Sequence, residues 1–126
     1  IILNLVLLTI FTEGQVTGDL RVIDGPSPHE GRIEIYYSGD WGSICDDDWD
    51  NTDAKVACKQ LGYDKGNAVG GGNYGAAWSH KIVMDEVTCT GSETKLVDCA
   101  FDGWLQHDCD HYEDAGVKCL SKLNFM

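Results

Sequence analysis

The sequence has little positive charge, only two prolines and no apolar run long enough to span a bilayer, and each shortage narrows what the chain can do. Lys and Arg together number 9 against 21 Asp and Glu, a formal net charge of -12, and only Arg21 and Arg32 supply guanidinium. Nucleic acid and acidic membranes are gripped by clustered Lys and Arg, so both are disfavoured as partners. A chain of this charge attracts cations and basic partners instead, less strongly as salt rises. No CxxC pair occurs, and the HDCDH run at 107–111 has no second cluster to complete a tetrahedral zinc site. GxSxG and HExxH are absent and the grouped carboxylates lack a neighbouring nucleophile, so no enzyme is expected. There is no Asn-x-Ser/Thr sequon either.

What is present fits one domain of 126 residues. The apolar stretch 1–11, IILNLVLLTIF, is too short for a membrane span, which takes about 20 residues. With it, residues 1–14 read as a secretory signal remnant with a cut near Gln15, or as a retained apolar segment packed on a neighbour. Residues 15–18 form a short lead-in, 19–120 the folded domain and 121–126 a tail. Six cysteines, Cys45, Cys58, Cys89, Cys99, Cys109 and Cys119, point to disulfides in an exported chain, with 15 pairings open from spacing alone.

An α+β fold follows from the patterning. Ile33, Ile35 and Tyr37 alternate with Glu34 and Tyr36, a half-buried strand that Ser38–Gly39–Asp40 turns into a hairpin. Ala54, Ala57, Cys58 and Leu61 share one face of a helix capped by Asn51 or Thr52, with Gly62 just past its end. Residues 65–79 read as a long ordered loop, Lys81 to Val87 as a strand and Ala115 to Cys119 as a closing strand. Ser92 caps a short second helix to Cys99, with Leu96 and Val97 turned inward.

The run WGSICDDDWD at 41–50 sets Asp46, Asp47 and Asp48 side by side, with Asp50 close behind. Such a run is either a solvated face or in part a cation site. An EF-hand is excluded, because counting from Asp46 the sixth position is Asn51 and the twelfth Ala57.

Four segments, DLRVIDGPSPHEGRIEIYYSGDWGSICDDDWD, DAKVACKQLGY, DEVTCTGSETKLVDC and WLQHDCDHYEDAGVKC, together resemble the scavenger receptor cysteine-rich (SRCR) domain. His29 and Tyr63 stand where the longer pattern of that family has an extra cysteine pair, so the resemblance is to the six-cysteine group A. It implies a curved antiparallel sheet cradling the helix and the bridges Cys45–Cys109, Cys58–Cys119 and Cys89–Cys99. The first bridge would carry Asp46 and Asp47 to the segment Asp108–Glu113. By the same resemblance Asp46, Asp47 and Glu113 match one calcium site, and Asp85, Glu86 and Asp108 look like a second, weaker one; magnesium is an alternative ion. The competing readings are that Asp46 bonds loop amides, that Glu113 pairs with a Lys, and that Asp48 and Asp50 face water.

The expected function is a secreted, extracellular recognition module, in the setting of innate immunity, that binds anionic ligands or a protein partner through calcium. Its rival is an assembly subunit that packs through the N-terminal apolar segment and its acidic faces. Lys81, Tyr74 and Trp78 are candidate ligand contacts, whereas the other Trp residues are read as packing. His107 and His111, flanking Cys109, are expected to make local hydrogen bonds.

Overall fold

A computed structural model describes residues 14–121. The N-terminal apolar segment, apart from Gly14, and the tail beyond Ser121 lie outside the described residues, and so does the packing role suggested for that segment.

The strand carrying Ile33 and Ile35 is the centre of the sheet. Strand β2 (Glu30–Tyr37) pairs antiparallel along one edge with β1 (Leu20–Ser27). On its other edge β6 (Gly116–Leu120) takes the first half and β3 (Asp40–Ile44) the second. Strand β4 (Lys65–Val69) extends the sheet beyond β6, and β5 (Lys81–Met84) adds in parallel beside β3, giving the order β4-β6-β2-β3-β5. The sheet is thus antiparallel-rich, with one parallel pair at its β5 edge. Helix α1 (Asn51–Gln60) lies against it and buries Ala54, Val56, Ala57 and Cys58 with Ile33, Ile35, Ile44, Met84 and Val117.

All three expected disulfides form: Cys45–Cys109, Cys58–Cys119 and Cys89–Cys99. The second ties the inner face of α1 to β6, which suits the core-facing position of Cys58 in the helical pattern.

Four expectations need correction. The helix cap is Asp50, not Asn51 or Thr52: its carboxylate accepts from the amides of Thr52 and Asp53, and Asp53 returns a bond from the Asp50 amide. Asp50 is exposed to water as expected, yet its reciprocal box with Asp53 makes it structural. Residues 65–69, read as loop, are an edge strand whose Gly66 admits the helix: a Cβ there would meet the Cys58 Sγ at 2.2 Å. The expected helix over 92–99 is only a 3-10 turn at Leu96–Asp98, and Val97 is half-buried rather than turned inward. Glu93 there bonds the amides of Thr90 and Gly91, which holds the segment as a loop.

Glu34, on the polar face of the alternating pattern, is fully buried. Arg21 and Arg32 close on it with contacts of 2.6 and 3.0 Å, and Arg32 reaches Asp24 at 2.8 Å. Burial alone would lower the Arg32 pKa, but its bonds to Glu34 and Asp24 raise it.

Three of the four Trp residues pack as expected. Trp49 is buried and donates from Nε1 to the Gly116 carbonyl, Trp104 stacks on Tyr37, and Trp41 lies under the Arg21 guanidinium.

Candidate metal centre

Three chain segments meet at the end of β3. The Cys45 amide donates to the Met84 carbonyl and the Asp46 amide to the Glu113 carbonyl, which sets 45–48 between the exit of β5 and the turn 110–113. The bridge from Cys45 to Cys109, with Cα atoms 6.3 Å apart, fixes that third segment covalently. Asp48 takes a left-handed φ of 64°, turning the chain toward the Asp50 cap of α1. The tight turn and the capped helix therefore aim Asp47 toward the other two segments.

Carboxylate oxygens of Asp47, Asp85 and Asp108 lie within 4.8 Å of one another, and Asp47 is equally close to Glu113. The bridged sulfurs beside them carry no proton and cannot act as thiolate ligands. The Cys109 Sγ, 3.7 Å from Asp47 Oδ2 and 3.8 Å from Asp108 Oδ1, only packs on the cluster. A further group joins Asp85, Glu86 and Asp102, again within 4.8 Å. The two expected sites thus form one continuous array, with Asp47 shared between Glu113 and the Asp85–Asp108 pair.

The electrostatics record crowding. The Asp47 pKa is raised by desolvation first, then by the charges of Glu113, Asp85, Asp108 and Asp46. That of Asp85 is also raised, by burial and then by Asp108 and Asp102, against the opposing bond from the Glu86 amide. Glu86 is pushed up to about 7, chiefly because it shares a hydrogen bond with Asp48, and then by desolvation and its acidic neighbours. Asp48 is exposed, as expected of a solvated residue, but through this bond it belongs to the array.

Asp46 stands apart from the rest. Its Oδ2 accepts from the Gly71 amide, so its carboxylate anchors the glycine-rich loop, which is the alternative weighed from the sequence. Glu113 holds the 3-10 turn at His111–Glu113 by accepting from the Asp110 amide at 3.1 Å, and its other oxygen turns to the Cys45 sulfur at 3.9 Å. His107 accepts locally from the Cys109 amide, while His111 bonds buried Asp114 at 3.0 Å and also reaches the Ser43 hydroxyl at 3.5 Å.

Asp102 is the acidic residue that sequence reasoning missed. Its amide donates to the Asp85 carbonyl, a contact created by the fold with no motif to announce it.

Of the candidate ligand contacts, Trp78 is 62% exposed and packs edge-on to Tyr112. Tyr74 is half-buried with its hydroxyl donated to Glu30, and its pKa is pushed up to about 12 by burial and that bond. Lys81 opens β5 and Asp85 follows its end, so about 13 Å of strand separates that cation from the cluster.

A family model described as the scavenger receptor cysteine-rich domain matches residues 23–120. Galectin-3-binding protein of Bos taurus is 44% identical over 92% of this chain, and a scavenger receptor cysteine-rich domain superfamily protein of Patiria pectinifera is 44% identical over 84%. The chain spans only 21% and 9% of those relatives' lengths. Among solved structures, the third such domain of murine neurotrypsin is 44% identical with a TM-score of 0.74, covering 80% of this chain and 94% of that one. The domain of mouse MARCO, in a dimeric form, is 43% identical with a TM-score of 0.67 and covers 84% and 93%.

Proposed function

The chain belongs to the scavenger receptor cysteine-rich domain family, whose members are extracellular ligand-recognition modules, and we propose that this one is a non-catalytic, group A module recognising its ligand through calcium. The observation that carries the reading is the meeting of Asp47, Asp85, Asp108 and Glu113 from three segments, with the pKa values of Asp47 and Asp85 raised by desolvation and mutual repulsion. The donors are hard oxygens only, which fits calcium and, with stricter geometry, magnesium. In the bound state the ion offsets the repulsion and offers open positions to a sulfate, phosphate or carboxylate oxygen. Few protein ligands on an open surface suit the range of about 10⁻⁴–10⁻³ M typical of extracellular modules.

The protein's own cations give an anion little help. Arg21 and Arg32 are committed to Glu34 and Asp24, and Lys81 stands at the far end of β5. The chain's residues instead shape the acidic site: the Asp46 bond to Gly71 holds the neighbouring loop, and the Asp110–Glu113 turn keeps Glu113 beside Asp47. Galectin-3-binding proteins are named for a protein partner, so a protein presenting an acidic group falls within the same proposal. The dimeric form of the MARCO domain favours a second reading, an assembly subunit.

Calorimetric titration of the oxidised protein with calcium, repeated on Glu113→Gln and Asp85→Asn, tests the first reading. Saturable heat that weakens in both variants is expected, together with binding to dextran sulfate that EDTA abolishes. No heat in the unmodified protein would leave only a solvated acidic surface. Calcium-independent self-association in sedimentation, without ligand binding, would favour the assembly reading.

A further inference from the structure

At the end of the sheet remote from the acidic cluster lies a cavity of about 260 Å³, lined by Tyr37, Ser38, Asp40, Lys81, Val83 and Leu105, with Trp41 at its edge. Its apolar wall is Val83, whose side chain fills the space over Gly42. Gly42 pairs with Lys81, and a Cβ on Gly42 would meet the Val83 Cγ1 at 2.5 Å. Residues two apart on a strand share a face, so Asp40, Gly42, Lys81 and Val83 look the same way, and the cavity lies between Asp40 and Lys81 beside Val83. Strand spacing puts the Cα atoms of that Asp and Lys roughly 8 Å apart.

Three further observations fall at this corner. Leu105 is 42% exposed and held in the left-handed region at φ 65°, where its amide donates to the Val83 carbonyl. Strained conformations of this kind cluster where a surface must be held in shape. Lys81 forms no salt bridge among the described residues, although the protein is strongly acidic. The His80 Nδ1, buried and without a hydrogen bond, stands 4.0 Å from Asp40 Oδ1, too far to satisfy it.

We propose that this hollow is a second binding site, independent of the calcium site, for a small zwitterion with an apolar side chain, namely a free hydrophobic or aromatic α-amino acid. Asp40 accepts the ammonium, Lys81 donates to the carboxylate, and the side chain lies against Val83, Leu105 and the Tyr37 ring. A lone carboxylate would meet Asp40 and a lone amine would meet Lys81, so the opposed pair selects the zwitterion over either half. An open cavity and a ligand of about a dozen heavy atoms suit a dissociation constant of roughly 1 mM.

The test is a two-dimensional amide NMR titration of the oxidised protein with L-phenylalanine, 3-phenylpropionate and phenethylamine, in calcium and in EDTA. Saturable shifts at Gly42, Lys81 and Leu105 are expected with L-phenylalanine in both buffers, and about tenfold weaker binding of each half-molecule. Asp40→Asn and Lys81→Met, exposed positions whose folding the same spectra verify, should each weaken L-phenylalanine about tenfold and remove its advantage over one half-molecule. The proposal is overturned by the absence of shifts at these residues up to about 50 mM, roughly fifty times the expected constant. Equal binding of all three compounds, unchanged binding in both variants, or loss of binding in EDTA would overturn it too.

Discussion

Replacing Asp47 by Asn should move stability in opposite directions with and without calcium. Without the ion, Asp47 has Glu113, Asp85 and Asp108 within 4.8 Å. Two like charges at that distance in water repel by about 0.9 kcal/mol, and by about 0.5 kcal/mol after physiological screening. Removing the Asp47 charge therefore relieves about 1.5 kcal/mol over three neighbours. With the ion at about 10 mM and a dissociation constant of about 0.1–1 mM, the unmodified protein gains about 1.4–2.7 kcal/mol. At about 4 °C per kcal/mol for a domain of this size, that is a rise of about 6–11 °C in Tm. The variant should melt about 6 °C higher in EDTA and respond little to calcium. Thermal unfolding followed by circular dichroism, with the disulfides intact, reads both differences. A variant less stable in EDTA would show that the Asp47 carboxylate is favourably placed in the metal-free fold, and an undiminished calcium response would remove it from the ligand set.

The pH dependence in EDTA has a definite sign. Glu86, at about 7, and Asp53, raised to about 6 mainly by burial, bind protons more tightly in the folded protein than in the unfolded chain. Their stabilising contribution is present at low pH and lost as pH rises through those values, so urea unfolding should show stability falling from about pH 5 to about pH 7.5. Calcium should flatten that slope, because its ligands must be deprotonated. Arg32→Met should cost about 3–5 kcal/mol in the same assay by stranding part of the charge on buried Glu34. Combining it with Glu34→Leu should restore most of the loss, and failure to do so would mean that packing by Arg32 matters more than its charge.

The parts of the fold legible in the sequence were those where one periodic face meets the core. Ile33 and Ile35 mark β2, and Ala54, Ala57 and Cys58 mark α1, because burial there follows the element's own repeat. Strand β4 escaped because Lys65, Gly66 and Asn67 have poor strand propensity, and their place is set by pairing with β6 and the close approach of Cys58. The segment 92–99 misled because Ser92 resembles a cap, while its hydroxyl turns back to Thr90 and Glu93 binds the amides of Thr90 and Gly91. At the site, the resemblance led to Asp47, Asp85, Asp108 and Glu113. It could not reveal that Asp46 turns to Gly71, nor that the loop after Cys99 returns Asp102 to Asp85, since both depend on loop paths without a repeat.

The bond between Cys45 and Cys109 joins positions 64 residues apart, and half of the acidic array hangs on its far side. Before that bond exists, the carboxylates of 108–113 visit Asp47 only at the low effective concentration of a long loose loop. At the proposed calcium site, ion uptake would thus be acquired during oxidative maturation rather than carried by the nascent chain. On that proposal a reduced or mispaired molecule should ignore millimolar calcium, so the ion's effect on melting would serve as an assay of correct maturation.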